Sequence, residues 1–508
     1  MSIVREFTDS AFQKAYESSD DHAVCLSGHC FSLRKLKRMV FVVLRKHNQT
    51  IQCIATKKNG DVFNLLTDLT EESTVTITGM ITVPPKPVES CDVHGYEVSI
   101  GDVEVITRAT ELPFNVADAN EILVADHDES DEDENTKAED VDGGEDGHDG
   151  DEDGDEDGDE DRMNVPRKTR MANRWLDIRA FNNYDIIRLR SLLLNSMRSV
   201  ALGDGFIEVS TPKIIPAVSE SGSSVFRLDY FGRKAYLAQS PQLYKQMMIN
   251  SGLRGVFEVG PVFRAENSQT YRHLCEFTGM DFEFPIEPSE NHYDVVGKIW
   301  NILLRGFTKL YAENTGLIDR IWSMTGADGF NMPEVPVIVD FCDGCDMLVE
   351  AGFEQNKTED IGSNNERELG KLVKAKYGTD IFVLMNYPSS ARPFYTMVNH
   401  EVADDGSRTY SDYSRSFDII MRNNEISSGA QRNHDPEILK ERIAAHGIEL
   451  DFERKTTGLE DYVRSFEVGS MPHGGCGIGV ERIVMLYLGL PNVRSVSLFP
   501  RDPKTITP

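Results

Sequence analysis

The sequence lacks an apolar run of the roughly 18 residues that a helix needs to cross a bilayer. Its first residues, MSIVREFTDSAFQKAYESSD, have neither the apolar core of a signal peptide nor the Arg-rich character of a transit peptide. It also lacks a GxxxxGKS/T loop and a GxGxxG turn between a strand and a helix, so a nucleotide must be bound in another way. We therefore expect a cytoplasmic protein without a membrane partner.

Cysteine is scarce as well, with eight residues scattered through 508. This usage fits reduced thiols in the cytosol. Cys342 and Cys345 form a CxxC pair, but there is no second pair or neighbouring histidine to complete a ligand set. The cysteines therefore predict no metal or redox site.

Basic residues are outnumbered, 53 against 84 acidic ones, which gives a formal net charge of -31. Between Asp126 and Asp161 there are 22 carboxylates and the single Lys137, so this tract alone contributes -21. Such a composition buries no apolar surface and repels itself, which predicts a disordered linker. The rest of the chain is only mildly acidic and can still offer a basic surface to a nucleic acid.

Four segments are predicted along the chain. Residues 1–22 form a short helix or a loose arm, and residues 23–115 contain short β-rich runs separated by turn signals, typical of a small barrel. Residues 116–163 are the acidic linker. In residues 164–508, strands follow strands without regular β–α alternation, which predicts an α+β domain with an antiparallel sheet flanked by helices.

One run in the barrel segment, RKLKRMVFVVLRK at residues 34–46, has six basic residues and no acidic one. Cations next to an exposed aromatic ring suit a single-stranded nucleic acid, because phosphates meet the cations while a base stacks on the ring. Phe41 is the candidate ring. The alternative is a solvated strand edge with Phe41 in the core.

The clearest candidate for an anion site is GPVFRAENSQTYRHLCEFTGMDFEF, residues 260–284. Arg264 and Arg272 flank a polar turn between two strand-like runs, and the planar fork of a guanidinium suits phosphate oxygens. His273 can join them, and Phe277 can stack on a base. A structural network of ion pairs is the alternative for this stretch taken alone.

Two later stretches add chemistry. In GGCGIGVERIVMLYLGL a glycine run allows close approach of the backbone to a ligand, and Glu481 and Arg482 open an apolar helix. In SFDIIMRNNEISSGAQR, Asp418 and Glu425 can carry Mg²⁺, which takes one or two carboxylates plus substrate phosphates.

Together, the helix and strand that end at Pro212, FRAENSQTYRHLCEF and GIGVERIVMLYLGL resemble the three signature motifs of class II aminoacyl-tRNA synthetases, in the same order. YLAQSPQLYKQ, EFTGMDFE, SGAQRNHDPE and LFPRDP are similar to the aspartate-specific branch of subclass IIb, of the eukaryotic cytosolic type. The resemblance covers about residues 23–115 and 164–508. It implies an OB-fold anticodon-binding barrel before a catalytic domain that uses ATP, Mg²⁺, L-aspartate and tRNA(Asp), in a homodimer.

The resemblance also implies roles for individual residues. Those of the reaction itself are Arg264, Glu425 and Arg482, with Asp418 and Glu425 as metal ligands. The aspartate-binding residues are Glu220, Gln242, Lys245, Arg264, Asp281, Ser428 and Arg432. The ATP-binding residues are Arg264, Ala265, Glu266, Arg272, His273, Leu274, Phe277, Glu425, Gly479, Val480, Glu481 and Arg482. The anticodon contacts are Phe41 and Gln52, and Pro212 marks the dimer interface.

The sequence departs from the family pattern at Cys476, where glycine is usual, and at Asn424, where an acidic residue is common. The acidic tract is foreign to the pattern, and the Lys-rich N-terminal extension of many eukaryotic relatives is missing, so we expect no auxiliary tRNA binding by such an arm. Two alternatives remain open. One is an asparaginyl-tRNA synthetase or an asparagine synthetase of the same fold, and the other is a nonenzymatic protein whose acidic tract binds basic partners.

Overall fold

The computed structural model describes residues 1–18, 20–120, 165–218, 224–405, 407–455 and 457–508. Most of the predicted acidic linker and Glu220 lie outside these residues. The described chain forms two compact units, residues 1–120 with 165–185 and residues 186–508. Residues 165–185 thus group with the barrel, whereas the sequence predicts that the catalytic domain starts at 164. The bounds of the four predicted segments stay predictions.

The first unit contains a closed barrel. The sheet order is β1-β2-β3-β4-β6-β5, and β2 also pairs with β5, which closes it. Apolar residues alternate along the strands, so that Val40, Val42 and Leu44 point into the core. The predicted OB-fold barrel is confirmed. The strands are β1 (Ser2–Ile3), β2 (Ala23–Lys35), β3 (Met39–Lys46), β4 (Gln49–Thr56), β5 (Thr74–Thr82) and β6 (Glu97–Thr107).

The N-terminal segment is part of this barrel. Helix α1 (Asp9–Glu17) begins after Thr8, whose side chain accepts a hydrogen bond from the Ala11 amide. Phe7 and Phe12 are fully buried in the barrel core. Three further helices belong to this unit: α2 (Asp61–Asp68), α3 (Arg167–Ala172) and α4 (Arg174–Asp177).

The second unit is built on an eight-stranded sheet with the order β13-β14-β17-β18-β19-β12-β11-β7. Its inner pairs are antiparallel, and only the edge pairs β13–β14 and β11–β7 are parallel. The predicted α+β class with an antiparallel sheet is confirmed. The strands of this sheet are β7 (Ile207–Glu208), β11 (Val256–Phe263), β12 (Glu276–Pro285), β13 (Ile338–Asp340), β14 (Ile381–Met385), β17 (Ser416–Met421), β18 (Asn424–Gln431) and β19 (His473–Gly479).

Smaller sheets and helices complete the unit. Two small sheets consist of β8 (Ile214–Ile215), β9 (Arg227–Tyr230) and β10 (Arg233–Leu237), and of β15 (Val398–Val402) with β16 (Arg408–Ser414). The helices are α5 (Phe181–Gly203), which begins in the first unit, α6 (Gln242–Asn250), α7 (His292–Thr325), α8 (Phe341–Glu350), α9 (Ser363–Tyr377), α10 (Pro436–Ala445), α11 (Glu460–Glu467) and α12 (Val480–Leu488).

Helices α7 and α12 pack on the large sheet and form its main core. Helix α7 begins at a capping box between Asn291 and Asp294 and ends at Gly326, whose φ of 71° is the left-handed conformation that favours glycine. Its Trp300 and Leu303 are buried with residues of the central strands. This core leaves the other face of β12, β19 and β18 free for a cavity. Among the described residues, no helix is long and apolar enough to cross a membrane.

Candidate active site

A cavity of about 370 Å³ lies on the free face of the central strands. Its lining combines residues far apart in sequence, from the end of β11, from β12, from β18 and from the start of α12. The predicted site residues that line it are Gln242, Arg264, Glu266, Arg272, His273, Leu274, Phe277, Asp281, Glu425, Ser428, Arg432, Gly479, Glu481 and Arg482.

Arg264 directly follows β11 and points along the cavity wall. Its guanidinium lies over the ring of Phe277, 5.5 Å from the centroid, and its ion pair with Glu266 is long at 3.9 Å. The Arg264 Nε atom is buried and has no hydrogen-bond partner among the residues that the structure describes. A buried donor without a partner is costly, so this guanidinium is prepared to receive an acceptor.

Arg272 lies in the loop between β11 and β12, with both branches of its guanidinium engaged. Its Nη1 atom donates to Glu366 Oε1 at 2.9 Å, and its Nη2 atom donates to the Ser363 hydroxyl. His273 follows, and its Nδ1 is 2.6 Å from Thr270 Oγ1. Burial and the positive charges of Arg482, Arg272 and other arginines lower the pKa of His273 to about 3, so the imidazole is neutral here.

Helix α12 supplies the opposite wall. Arg482 Nη1 donates to the Glu425 carbonyl at 2.7 Å, which ties the helix start to β18. The Glu481 carboxylate is used within the protein, because Arg190 lies 2.8 Å from it and the Thr278 amide donates to it at 2.9 Å. Val480 is in the hydrophobic core and does not reach the cavity.

At the other end of the cavity, Asp281 and Arg432 of its lining pair with Lys245 and Glu283, which are not part of the lining. All four charges are buried. Lys245 Nζ, from α6, lies 3.1 Å from Asp281 and 3.3 Å from Glu283, and it donates to the Cys476 carbonyl at 3.2 Å. Arg432 Nε donates to Glu283 at 3.0 Å. The Lys245 and Arg432 side chains are only 3% and 4% exposed. Since charges of this kind are stable inside a protein only when paired, the cluster is a charge-balanced unit.

The pKa values of the two carboxylates of this cluster shift in opposite directions. Burial raises the pKa of Asp281 even though Lys245 opposes it. For Glu283, burial acts in the same direction, but Arg432 and Lys245 together lower its pKa below the ordinary value. Both side chains point to one face of the sheet because Asp281 and Glu283 are two residues apart on β12, and successive side chains of a strand point to opposite faces.

Glycines in β19 make room for these acids. A Cβ on Gly475 would lie 2.5 Å from Glu283 Oε2, and one on Gly477 would lie 3.0 Å from Asp281 Oδ1. The glycine run was predicted to admit a ligand close to the backbone. It also admits the protein's own carboxylates.

The candidate metal ligands stand on neighbouring strands, Asp418 on β17 and Glu425 on β18. Asp418 Oδ2 is 2.7 Å from Arg392, while Asp418 Oδ1 is buried and has no hydrogen-bond partner in the described part of the chain. Burial raises the pKa of Asp418 to about 6, although Arg392 opposes the change. No cluster of three or more His, Cys, Asp or Glu suited to a metal occurs in the described parts of the chain. Two carboxylates remain sufficient for Mg²⁺ when phosphates complete its shell.

Three charged residues of the site were missed from the sequence. Glu283 could have been found, because a strand that carries Asp281 toward a site carries residue 283 to the same face. Arg392 and Glu366 could not, since they lie in the segment between α8 and β15, outside every motif. Burial and the nearby Glu425 raise the pKa of Glu366 to about 7, although Arg272 opposes the change.

The remaining predicted residues lie elsewhere. In the barrel, Phe41 is half-buried beneath Arg34, at 4.5 Å, and is not in the core, while Gln52 donates to Glu97 at 2.9 Å. Pro212 is exposed. Ala265 donates its amide to the Ser224 carbonyl at 2.9 Å and is not part of the cavity lining. Glu220 lies outside the described residues, and the role of every predicted site residue stays a prediction.

Comparison with known proteins places this geometry in a family. The family described as tRNA synthetases class II (D, K and N) matches residues 166–503, and the family described as OB-fold nucleic acid binding domain matches residues 24–106. The first match alone spans more than half of the chain.

Individual relatives agree with it. A cytoplasmic aspartate–tRNA ligase of Mus musculus is 36% identical over 504 residues, which are 98% of this chain and 90% of that protein. Aspartate–tRNA ligase 1, cytoplasmic, of Arabidopsis thaliana is 38% identical over 96% of this chain and 84% of its own length. The solved aspartyl tRNA synthetase of Entamoeba histolytica superposes with a TM-score of 0.76 at 31% identity, and the match covers 99% of this chain and 93% of that one.

The resemblance stated from the three motifs is confirmed by these matches, and so is the order of an OB-fold barrel before a synthetase domain. Membership predicts use of ATP and an amino acid, and binding of a tRNA. The chain belongs to the class II tRNA synthetases, and within them to the aspartate–tRNA ligases.

Proposed function

We propose that the chain activates L-aspartate with ATP and transfers the aspartyl group to tRNA(Asp) in the cytoplasm. One observation carries the proposal: a single cavity has Arg264, with an available donor, at one end and a charge-paired cluster at the other. The first end suits phosphates, and the second suits a small substrate that carries both signs of charge.

Aspartate has an ammonium group and two carboxylates, and the cluster offers a partner for each kind. Asp281 and Gln242, with Glu220 closing the pocket, would hold the ammonium group. Arg432, supported by Lys245, would bind the side-chain carboxylate. Asparagine would offer Arg432 a neutral amide in place of a carboxylate, and a site built to pair a substrate charge rejects the neutral isostere strongly.

At the nucleotide end, Arg264 would bridge the α-phosphate and the reacting carboxylate. Arg272 and His273 would bind the terminal phosphates, which requires Arg272 to exchange Glu366 for phosphate oxygens. Phe277 and Arg482 would enclose the adenine ring from two sides.

The chemistry needs position and charge more than proton transfer. An oxygen of the aspartate α-carboxylate attacks the α-phosphorus, the bond to the β-phosphate oxygen breaks, and pyrophosphate leaves with the electron pair. In the second step a ribose hydroxyl of the tRNA end attacks the carbonyl carbon of the adenylate, and AMP leaves. Arg264 would stabilise the negative charge in both steps.

Asp418 and Glu425 would hold Mg²⁺, and the orphaned Oδ1 atom of Asp418 supports this assignment. When bound, the ion would neutralise phosphate charge. Arg392 would keep Asp418 in place through its 2.7 Å contact, and it also donates to Ser428 at 3.0 Å, so Ser428 is oriented beside the substrate.

Two further assignments concern partners. In the barrel, Phe41 and Gln52 would stack on and read anticodon bases, and the basic run around them would bind phosphates. We also propose a homodimer through the surface around Pro212. Exposed apolar side chains at Leu202, Ile207 and Ile214 support it, because such side chains are usually covered in the functional assembly.

The test is ATP–pyrophosphate exchange with the full chain. We expect exchange that depends on L-aspartate, is absent with L-asparagine, and is lost in Arg482→Ala. Exchange driven by asparagine alone would mean that the asparagine-specific alternative is correct. No exchange with either amino acid would support the nonenzymatic alternative.

A further inference from the structure

The C-terminal segment, residues 492–508, contacts the loop between β11 and β12 at two separate places. The Val493 amide donates to the Tyr271 carbonyl at 2.9 Å, and Arg494 Nη1 donates to the Thr270 carbonyl at 3.2 Å. Further along, the Cys275 amide donates to the Arg501 carbonyl at 2.8 Å. The loop is therefore held on both sides of residues 272–274.

A buried ion pair links these two places within the C-terminal segment. Arg494 Nε lies 2.8 Å from Asp502 Oδ2, and the two side chains are 8% and 5% exposed. Burial alone would raise the pKa of Asp502, but the hydrogen bond and charge of Arg494 lower it. The Asn492 side chain fixes the start of the segment by accepting from the Arg494 amide at 3.0 Å. Arg494 thus contacts Asp502 and the loop carbonyl at the same time.

The loop held in this way carries Arg272 and His273. Their placement depends on the backbone between Thr270 and Cys275, where the His273 amide reaches the Thr270 carbonyl only at 3.4 Å. This backbone hydrogen bond is long, and the C-terminal segment supplies shorter ones at the two ends of the loop.

We propose that Arg494 and Asp502 are positioning residues for the nucleotide: they hold the loop in the shape that presents Arg272 and His273 to the terminal phosphates of ATP. The inference rests on the proposed function of this site and extends it to a part of the chain outside the cavity. Neither residue touches the nucleotide, so both act through the loop.

The test compares four full-length variants: Asp502→Asn, Arg494→Met, Arg494→Lys and, as a control, Lys504→Ala, an exposed position on the same segment. ATP binding is measured by titration calorimetry without amino acid. We expect the Kd for ATP to rise about tenfold in Asp502→Asn and more in Arg494→Met, because small displacements of binding groups have large effects. Arg494→Lys should raise the Kd for ATP less than Arg494→Met does, since it keeps the charge beside Asp502. Lys504→Ala should bind like the wild type.

Two further measurements separate positioning from a structural role. Hydrogen exchange of the amides of residues 271–274 in the substrate-free protein should accelerate in Asp502→Asn and not in Lys504→Ala. The KM for aspartate in exchange should stay within about twofold of the wild type, because the charge-paired cluster does not contact this loop.

An unchanged Kd for ATP in Asp502→Asn and Arg494→Met would overturn the inference. An equal rise in the ATP Kd and the aspartate KM, with a lower melting temperature, would also overturn it, since the segment would then support the whole unit. Absence of aspartate-dependent exchange in the wild type would instead contradict the proposed function, while ATP binding and hydrogen exchange would still decide the role of Arg494 and Asp502.

Discussion

The two ends of the cavity differ in whether their charged side chains have partners within the protein. At the amino-acid end, Lys245 and Arg432 are paired with Asp281 and Glu283 before any substrate arrives. At the nucleotide end, Arg264 has an Nε atom without a partner and a side chain that is 42% exposed. One end is complete within the protein, and the other is completed by its ligand.

This contrast predicts which substitutions change folding stability and activity together, and which change activity alone. Removing a charge from the closed cluster leaves its partners buried and uncompensated, so folding and substrate choice are affected together. Removing a charge from the open end takes away an interaction that exists only with substrate. Arg272 is an intermediate case, since Glu366 is its partner in the structure and its proposed role requires phosphate to replace Glu366.

The largest effect is expected from Lys245→Met. It leaves Asp281 and Glu283 without a shared cation, and breaking a buried pair in this way costs about 3–5 kcal/mol. Calorimetry should show a clear fall in melting temperature, and aspartate-dependent exchange should be lost. Lys371→Met, which removes an exposed lysine paired with Glu368, is the matched control and should change neither. A melting temperature equal to that of the wild type would show that the cluster is not a closed unit.

Arg264→Met should affect activity alone. Exchange should fall about 10²–10³-fold, as when one preorganised charge at a reacting group is removed. The melting temperature should stay at the wild-type value, because the contacts of Arg264 in the ligand-free chain are long. If Arg264→Met melts as early as Lys245→Met, the contrast between the two ends is wrong.

Burial of His273 and the crowding of positive charge around it predict a pH effect. The pKa of His273 is about 3, against 6.5 in an ordinary environment, so below pH 6.5 the unfolded chain takes up a proton that the folded chain does not. The wild type therefore loses stability as the pH falls through this range. His273→Gln does not titrate, and between pH 7.5 and pH 5 it should gain about 2 kcal/mol relative to the wild type.

Thermal melting of both proteins at the two pH values measures this gain. Added ATP should reduce it, because phosphate charge near His273 favours the protonated imidazole. A difference between the two proteins that does not depend on pH would contradict the conclusion that burial and the nearby arginines keep the imidazole neutral.

The smallest effect is expected from Cys476→Ala. Lys245 uses the carbonyl of residue 476, not the thiol, and the backbone of β19 is kept in this variant. Loss of one buried sulfur atom should cost no more than about 1 kcal/mol. The KM for aspartate, measured by exchange, should change by less than a factor of about two. A tenfold rise would assign the thiol a part in substrate binding.

The sequence identified the cations of the amino-acid end but not the arrangement that holds them. The sequence predicts that Lys245 and Arg432 bind the substrate carboxylate, whereas in the structure both already have protein partners. Motif spacing gives the residue types. Only the pairing of β12 with β19 brings Asp281 and Glu283 beside glycines that leave them space.

Contacts between distant segments explain the other gaps. Glu366 reaches Arg272 across 94 residues of chain, and Arg392 reaches Asp418 across 26, with no local pattern that marks either one. In the barrel, α1 buries only Phe12 and Ala15, too few positions for a helical period to predict that the segment is anchored. By contrast, the strands β11 and β12 have strong local patterns, and they match the two strand-like runs predicted on either side of the polar turn.

The position of β19 has a consequence for how each new copy of the protein is made. β19 lies between β18 and β12 near the centre of the sheet, and it is the last strand of this sheet in the sequence. It is therefore the last of these strands to leave the ribosome. The barrel, whose strands end at Thr107, can fold hundreds of residues earlier. Pairing over such sequence separations is slow. A nascent chain therefore lacks the proposed nucleotide site until β19 and α12 have been made.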